Sequence, residues 1–249
     1  MNPQLLANKV AVITGGSSGI GAACARALAA EGARIVVGYH RGRDRAQALL
    51  AELPGARHAA LAVALDGTAS HEPFAQRVQR DMGRADILVN SAGYTQRIPH
   101  VDLAQMDAAL FNEILSANAG GPFSITRALL PLLRDSGNGL VVNISSVSAF
   151  TGSGSNLAYC AAKAALDTLT ISLARAFGPQ VRFLSVSPAS VDTGFVEGRS
   201  REELQRKAAK TPLGRIVTPE DVARAVLACA THLKTATGTR IVVDGGHTL

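Results

Sequence analysis

Residues 10–21 read VAVITGGSSGIG, an unbroken apolar and β-branched run that passes directly into a glycine-rich turn. The run VAVIT lacks polar alternation, as expected of a strand buried on both faces. Gly15, Gly19 and Gly21 follow in the spacing GxxxGxG. They let the chain turn tightly from strand to helix and let a ligand approach the backbone. The amides at the start of that helix present positive potential, which suits a phosphate. The spacing differs from GxGxxG and lacks the lysine of a P-loop. Gly15, Ser17, Ser18, Gly19, Ile20 and Gly21 are therefore expected to form a phosphate cradle. The stretch also satisfies G-x-S-x-G with Ser17 as a hydrolase nucleophile, but such an elbow needs a preceding sheet, and a single strand precedes Ser17.

Outward from this unit the pattern repeats. Strand candidates lie at 10–14, 34–39, 59–65, 86–90, 140–145, 181–187 and 240–244. Helical periodicity fits 18–32, 43–53, 71–82, 103–133, 157–177 and 219–232. Near-continuous apolar strands separated by helices pair in parallel, with both sheet faces covered. The prediction is a single α/β domain over 1–249: a doubly wound, Rossmann-type fold with a seven-stranded parallel sheet flanked by helices. Ligands of such sheets bind at the carboxyl ends of the strands, so functional residues are expected just after Thr14, Tyr39, Leu65, Asn90, Ser145 and Ser187.

With 249 residues, 47% hydrophobic, 18% charged and 4% aromatic, the composition is that of a folded chain. The longest wholly apolar run, 59–65, is far shorter than the roughly 18 residues of a membrane span, and the N-terminus has no basic-then-apolar pattern. A cytoplasmic protein with no membrane partner is expected. Cys24, Cys160 and Cys229 show no CxxC or Cys/His spacing, so they read as buried small hydrophobes, and no metal site is expected. The net charge of +6 and pI near 9.6 come from scattered basic residues without an aromatic platform. That argues against nucleic acid and fits an anionic small ligand. The basic stretch RSREELQRKAAK, 199–210, reads as a solvated helix face.

Two further stretches carry chemistry. GYHRGR, 38–43, ends the second strand, where a carboxylate would hold a ribose 2′-hydroxyl and an arginine would accommodate a 2′-phosphate. No acid occurs before Asp44, while His40, Arg41 and Arg43 supply positive charge, so NADP(H) is expected, with NAD(H) second. In YCAAK, 159–163, Tyr159 and Lys163 stand one helical turn apart, with Cβ atoms roughly 5–6 Å from each other. An ammonium within about 4–6 Å favours the phenolate and lowers a tyrosine pKa by about 1–3. Tyr159 would then exchange protons near neutral pH, as acid-base catalysis requires. For a lone YxxxK, a shared exposed helix face is the plainer alternative.

Taken together, TGGSSGIG (14–21), NSAG (90–93), NISS (143–146), YCAAK (159–163) and VDGG (243–246) resemble the short-chain dehydrogenase/reductase family along the whole chain. The resemblance implies that Tyr159 is the catalytic acid-base, that Lys163 is its partner and holds the nicotinamide ribose, and that Ser146 orients the substrate oxygen. Ser146 also ends a strand where a loop opens, and Ser145 is its alternative. Asn118 is similar to the family's helical asparagine that keeps a water relay with the lysine; satisfying backbone groups freed at a kink near Gly120-Gly121 is the other reading. By the same resemblance Asp66 meets adenine, Asn90, Ala92 and Gly93 form the turn beneath the cofactor, and Pro188, Val191 and Thr193 face the carboxamide. Ala189 stands where the family has glycine, which would strain a positive φ.

The implied activity is carbonyl reduction or alcohol oxidation on a small molecule, with 3-oxoacyl-carrier reductases among similar members. The pocket is expected to be bounded by 94–100, 147–156 and a short polar lid near 194–213, and pairing of the long helices implies a homotetramer. A non-catalytic NADP-binding regulator is the alternative function; it would have no need of Ser146, Tyr159 and Lys163 together.

Overall fold

The computed structural model describes residues 4–65 and 68–249. Seven parallel strands form one sheet: β1 (Val10–Thr14), β2 (Arg34–Tyr39), β3 (Ala59–Ala62), β4 (Ile87–Asn90), β5 (Gly139–Ile144), β6 (Val181–Pro188) and β7 (Thr239–Val243). Their order, β3-β2-β1-β4-β5-β6-β7, reverses direction between β1 and β4. The register sets Thr14 beside both Gly38 and Asn90, and Asn90 beside Asn143. The carboxyl ends of β2, β1, β4 and β5 are therefore level at the switch point, where ligands of open sheets bind.

Neighbouring residues of each strand enter opposite cores, as the two-residue period of a strand demands. Ile13, Ile35, Val142 and Leu184 pack against α1 (Gly19–Ala30), α2 (Arg43–Glu52) and α9 (Pro219–Thr231). Val12, Val36, Val141 and Phe183 face the other way, towards α3 (His71–Met82), α5 (Gly121–Asp135) and α7 (Leu157–Phe177). Helix α7 is long and apolar enough to cross a membrane, but it buries Lys163, Asp167 and Thr170 and packs along β6, so it is a core helix of this fold. The three cysteines are free and buried, and burial pushes the Cys24 thiol up to about 12.

The structure divides the expected helix over 103–133. Helix α4 (Ala108–Leu115) starts at Asp107, whose carboxylate caps Leu110 N at 2.8 Å. A wide turn over Ser116–Gly120 follows, in which Gly121 N bonds Ser116 O, and α5 continues from Gly121. Pro122 has no N–H to offer the Asn118 carbonyl, and a local i→i+5 spacing accommodates that loss. Strand 59–65 is shorter than expected, because Ala62 is the register partner of Tyr39, where β2 ends. The sequence reading missed the short α6 (Ser148–Thr151). Within 199–210, α8 (Arg201–Ala208) buries Leu204 and Ala208 and exposes most of its charge.

Candidate active site

A cavity of about 1040 Å³ opens above the carboxyl ends of the central strands. One end is the β1–α1 turn. Gly15 has φ +63°, and a Cβ there would lie 2.8 Å from Ala92 Cα, so the turn rests directly on the loop after β4. Thr14 Oγ1 fixes that loop by accepting from Ser91 N and Ala92 N, both at 3.2 Å. Ser18 starts α1 without a side-chain cap, and the first turn carries no acid. The leading amides thus keep their capacity for an anion. Ser17, Ser18, Gly19 and Ile20 line the cavity beside them. Gly21 does not: a Cβ there would meet Gly15 O at 2.3 Å, so it closes the turn from inside. No histidine hydrogen-bonds Ser17 among the described residues, which leaves a Ser17 nucleophile without its base.

His40 and Arg41 line the same end from the rim of β2. Arg43 does not, and Arg45 takes its place. Two residues along α2 rotate a side chain by about 200°, which carries Arg43 away from the cavity and Arg45 towards it. Ser17 Oγ and Arg45 Nη2 stand 2.7 and 2.8 Å from the point a Gly42 Cβ would occupy. The lining acids among the described residues are Glu113 and Glu203, from α4 and α8 rather than from β2. Asp66, the expected adenine contact, lies outside the described residues.

Asn90 is likewise not a lining residue. Its Nδ2 donates to Asn143 Oδ1 (2.9 Å) and Thr126 Oγ1 (3.1 Å), and Asn143 continues to Thr170 Oγ1 (2.9 Å). This buried chain ties β4 and β5 to α5 and α7, beneath the cavity floor. Asn118 is fully buried in the wide turn; its Nδ2 donates to Tyr94 O (2.6 Å) and Ile114 O (2.9 Å). Its amide thus satisfies one carbonyl of the helix entering the kink, Ile114 O, and one of the loop after β4, Tyr94 O, and the side chain is not among the residues lining the cavity. Ala92 and Gly93 do line the cavity, as do Pro188, Val191 and Thr193 on the far wall. Ala189 has no positive φ and donates to Val243 O at 3.2 Å, so its Cβ causes no strain there.

The other end brings Ser146, Tyr159 and Lys163 together. Asn156 caps α7 by accepting from Tyr159 N at 2.7 Å, while its Nδ2 holds Gln96 O at 2.8 Å and Thr95 Oγ1 at 3.0 Å. The helix start is thereby fixed to the loop after β4. Ser146, buried two residues beyond β5, accepts from Ser148 N at 3.1 Å and lies close enough to the Tyr159 phenol for its hydroxyl to act on it. Ser145 instead donates back to Lys163 O, which favours Ser146 as the substrate-facing hydroxyl. Lys163 Nζ lies 5.5 Å from the Tyr159 ring centroid and donates to Ile144 O at 2.8 Å.

The electrostatics correct the sequence expectation. Tyr159 is half-buried by area but densely surrounded by protein, and desolvation pushes its phenol above the ordinary tyrosine value. The Ser146 hydroxyl and the Arg199 charge oppose that rise. The Lys163 ammonium, over the ring and directed to a β5 carbonyl, does not overcome that desolvation. Burial brings Lys163 itself down to about 8, and the charge of Asp167, one turn further on, works against that fall. The substrate wall stands where the sequence set the edges of the pocket, in the loop after β4 and the 194–213 lid: Phe195 packs on Tyr159 at 6.0 Å between centroids, and Tyr94, Arg97 and Arg199 join it. Their loops lack a motif, so the signal available was position after β4 and β6.

A doubly wound sheet with a glycine-rich turn and a large cleft at its switch point defines a Rossmann-type dinucleotide-binding protein. The family model described as "Enoyl-(Acyl carrier protein) reductase" matches residues 15–248. Over 95% of both chains, the sequence is 38% identical to a protein assigned as ketoacyl reductase 2 of the granaticin polyketide synthase of Streptomyces violaceoruber. It is 34% identical to the cis-4-hydroxycyclohexanecarboxylate dehydrogenase of Sinomonas cyclohexanicum, over 98% of both. The crystal structure of a dehydrogenase/reductase from Sinorhizobium meliloti superposes with a TM-score of 0.90 at 32% identity, covering 99% of this chain and 98% of that one. The chain belongs to the short-chain dehydrogenase/reductase family, oxidoreductases that use a nicotinamide cofactor.

Proposed function

We propose that the protein is an NADP(H)-dependent carbonyl reductase or alcohol dehydrogenase, a single catalytic domain with Tyr159 as general acid-base. The observation that carries this reading is the convergence of Ser146, Tyr159 and Lys163 at one end of a cleft whose other end offers an uncapped helix N-terminus and a basic rim. Those features fit a dinucleotide: α1 and Ser17 would hold the pyrophosphate, and His40, Arg41 and Arg45 a 2′-phosphate. When bound, the nicotinamide supplies or accepts the hydride.

The protein's part is proton transfer. Ser146 holds the phenol oxygen and orients the substrate oxygen beside it. The raised phenol stays protonated at neutral pH, so it donates to the oxygen of a carbonyl undergoing reduction. The charge then left on Tyr159 is offset by the Lys163 ammonium across the ring. Oxidation needs the phenolate at the start and therefore gains with rising pH. The lid over 194–213, including α8, closes the substrate side, and exposed Phe123 and Ile171 on α5 and α7 support pairing of these helices in a homotetramer. The site is read as acting in the cytoplasm.

The test is oxidation of NADPH and NADH against a carbonyl panel, followed at about 340 nm, the reduced nicotinamide band. Turnover that favours NADPH and disappears in Tyr159→Phe supports the reading; turnover indifferent to that substitution ends it.

A further inference from the structure

Beyond Tyr159 the cavity carries charge that proton transfer does not use. Arg97, Arg199 and Lys207 line this end, with Glu203 among them. Glu203 is already engaged, by Arg97 at 3.0 Å and Lys207 at 2.9 Å. Arg199, half-buried, has neither hydrogen bond nor ion pair for its guanidinium among the described residues. It lines the cavity on the lid segment whose Phe195 packs on Tyr159, and its charge reaches the phenol. Glu113, the other lining acid, is exposed on α4 and forms no ion pair among the described residues. Phe195 and Tyr94 supply apolar surface between the cations and Tyr159.

Resting on the oxidoreductase reading, we propose that this end is an anion subsite in which Arg199, flanked by Arg97 and Lys207, binds the carboxylate of the substrate. The preferred substrates are then small oxo acids or hydroxy acids: a compact apolar frame against Phe195 and Tyr94, the reacting carbon at Tyr159, and the carboxylate on the guanidinium. A guanidinium fork matches the planar carboxylate in two parallel hydrogen bonds, a match that a point charge lacks. Half-burying such a group with no direct partner is costly, and burial holds Arg199 below the ordinary arginine value even though the nearby Glu203 charge works against that fall. A bound carboxylate removes that cost.

The experiment uses the NADP-loaded protein and a series of short linear and cyclic oxo acids, each paired with its methyl ester. Binding is measured by calorimetry and turnover by cofactor absorbance. At least one acid is expected to bind, and to turn over, about tenfold better than its ester. Arg199→Gln should erase that preference, and Arg199→Lys should restore part of it. Arg201→Gln removes an exposed neighbour that pairs with Asp192 outside the cavity, and should leave the preference intact. The proposal is overturned if no acid exceeds its ester, or if Arg201→Gln removes the preference as fully as Arg199→Gln. Arg199-dependent binding of an acid without turnover in either direction would instead retain the subsite and reject the oxidoreductase reading.

Discussion

The two ends of the cavity are built on opposite principles. At the nucleotide end the working groups are backbone amides of α1 and the exposed side chains His40, Arg41 and Arg45, which sit in solvent on a rim. At the reactive end, Ser146 and Lys163 are buried, Asn156 is fully buried, and each is fixed by hydrogen bonds to α6, β5, α7 or the loop after β4. Exposed charges are screened by water and salt, so the rim can set preference but contributes little rigidity. Buried polar groups are costly unless satisfied, so the reactive end holds one geometry and carries a stability penalty with it.

The sharpest test of that contrast is Tyr159→Phe. Losing the proton donor should lower kcat about 10²–10⁴-fold, with dinucleotide affinity measured by fluorescence almost unchanged. A comparable loss of affinity would mean that the two ends are not separable. Next comes Lys163→Met, for which we expect about a 10²-fold fall in kcat/KM together with a gain in stability. The lysine value falls from 10.5 unfolded to about 8 folded. Below about 8 both states carry the proton, and the folded protein bears the whole cost of the buried charge, roughly 3 kcal/mol. Between about 8 and 10.5 the folded state has released the proton while the unfolded state retains it, so wild-type stability rises with pH. Denaturant midpoints across this window should show the Lys163→Met advantage shrinking, and a constant advantage would contradict a charged, buried lysine.

At the rim, Arg41→Glu with Arg45→Glu should raise the KM for NADPH about 10–100-fold, leave NADH nearly untouched, and lose much of its effect in high salt. Equal losses for both nucleotides would remove the 2′-phosphate from the account. The smallest effect is expected from Asp167→Asn. The Asp167 charge supports the Lys163 ammonium, so the alkaline fall in reductase activity should begin at lower pH, with kcat at pH 6–7 reduced only a few-fold. An unchanged pH profile would show that Lys163 does not set that limb.

Much of this arrangement was legible in the sequence. The VAVITGGSSGIG unit and the repetition of buried strands with amphipathic helices predicted a parallel, doubly wound sheet, and α3 and α7 span the residues expected of them. Tyr159 and Lys163 share a helix face because four residues make about one turn. Less visible were relations that depend on neighbours. Asn90 and Asn118 matched motif positions, yet their amide nitrogens are consumed by Asn143, Thr126, Tyr94 and Ile114, partners remote or unforeseeable in the chain. Arg45 rather than Arg43 reaches the cavity because α2 begins where it does. The polar lid over 194–213 was expected, but which of its cations line the cavity, Arg199 and Lys207 rather than Arg201, was not.

By itself the sequence determined what local period and covalent geometry control: the order of strands and helices, the tight Gly15–Gly21 turn, and the pairing of Tyr159 with Lys163 on one turn of helix. Only the tertiary structure decided the electrostatics. Burial is a property of the whole packing, and it sets the phenol above its ordinary value and the lysine at about 8, against the expectation from their spacing alone. The same packing leaves the Arg199 guanidinium without a hydrogen bond or ion pair of its own among the described residues, because Glu203 is engaged by Arg97 and Lys207.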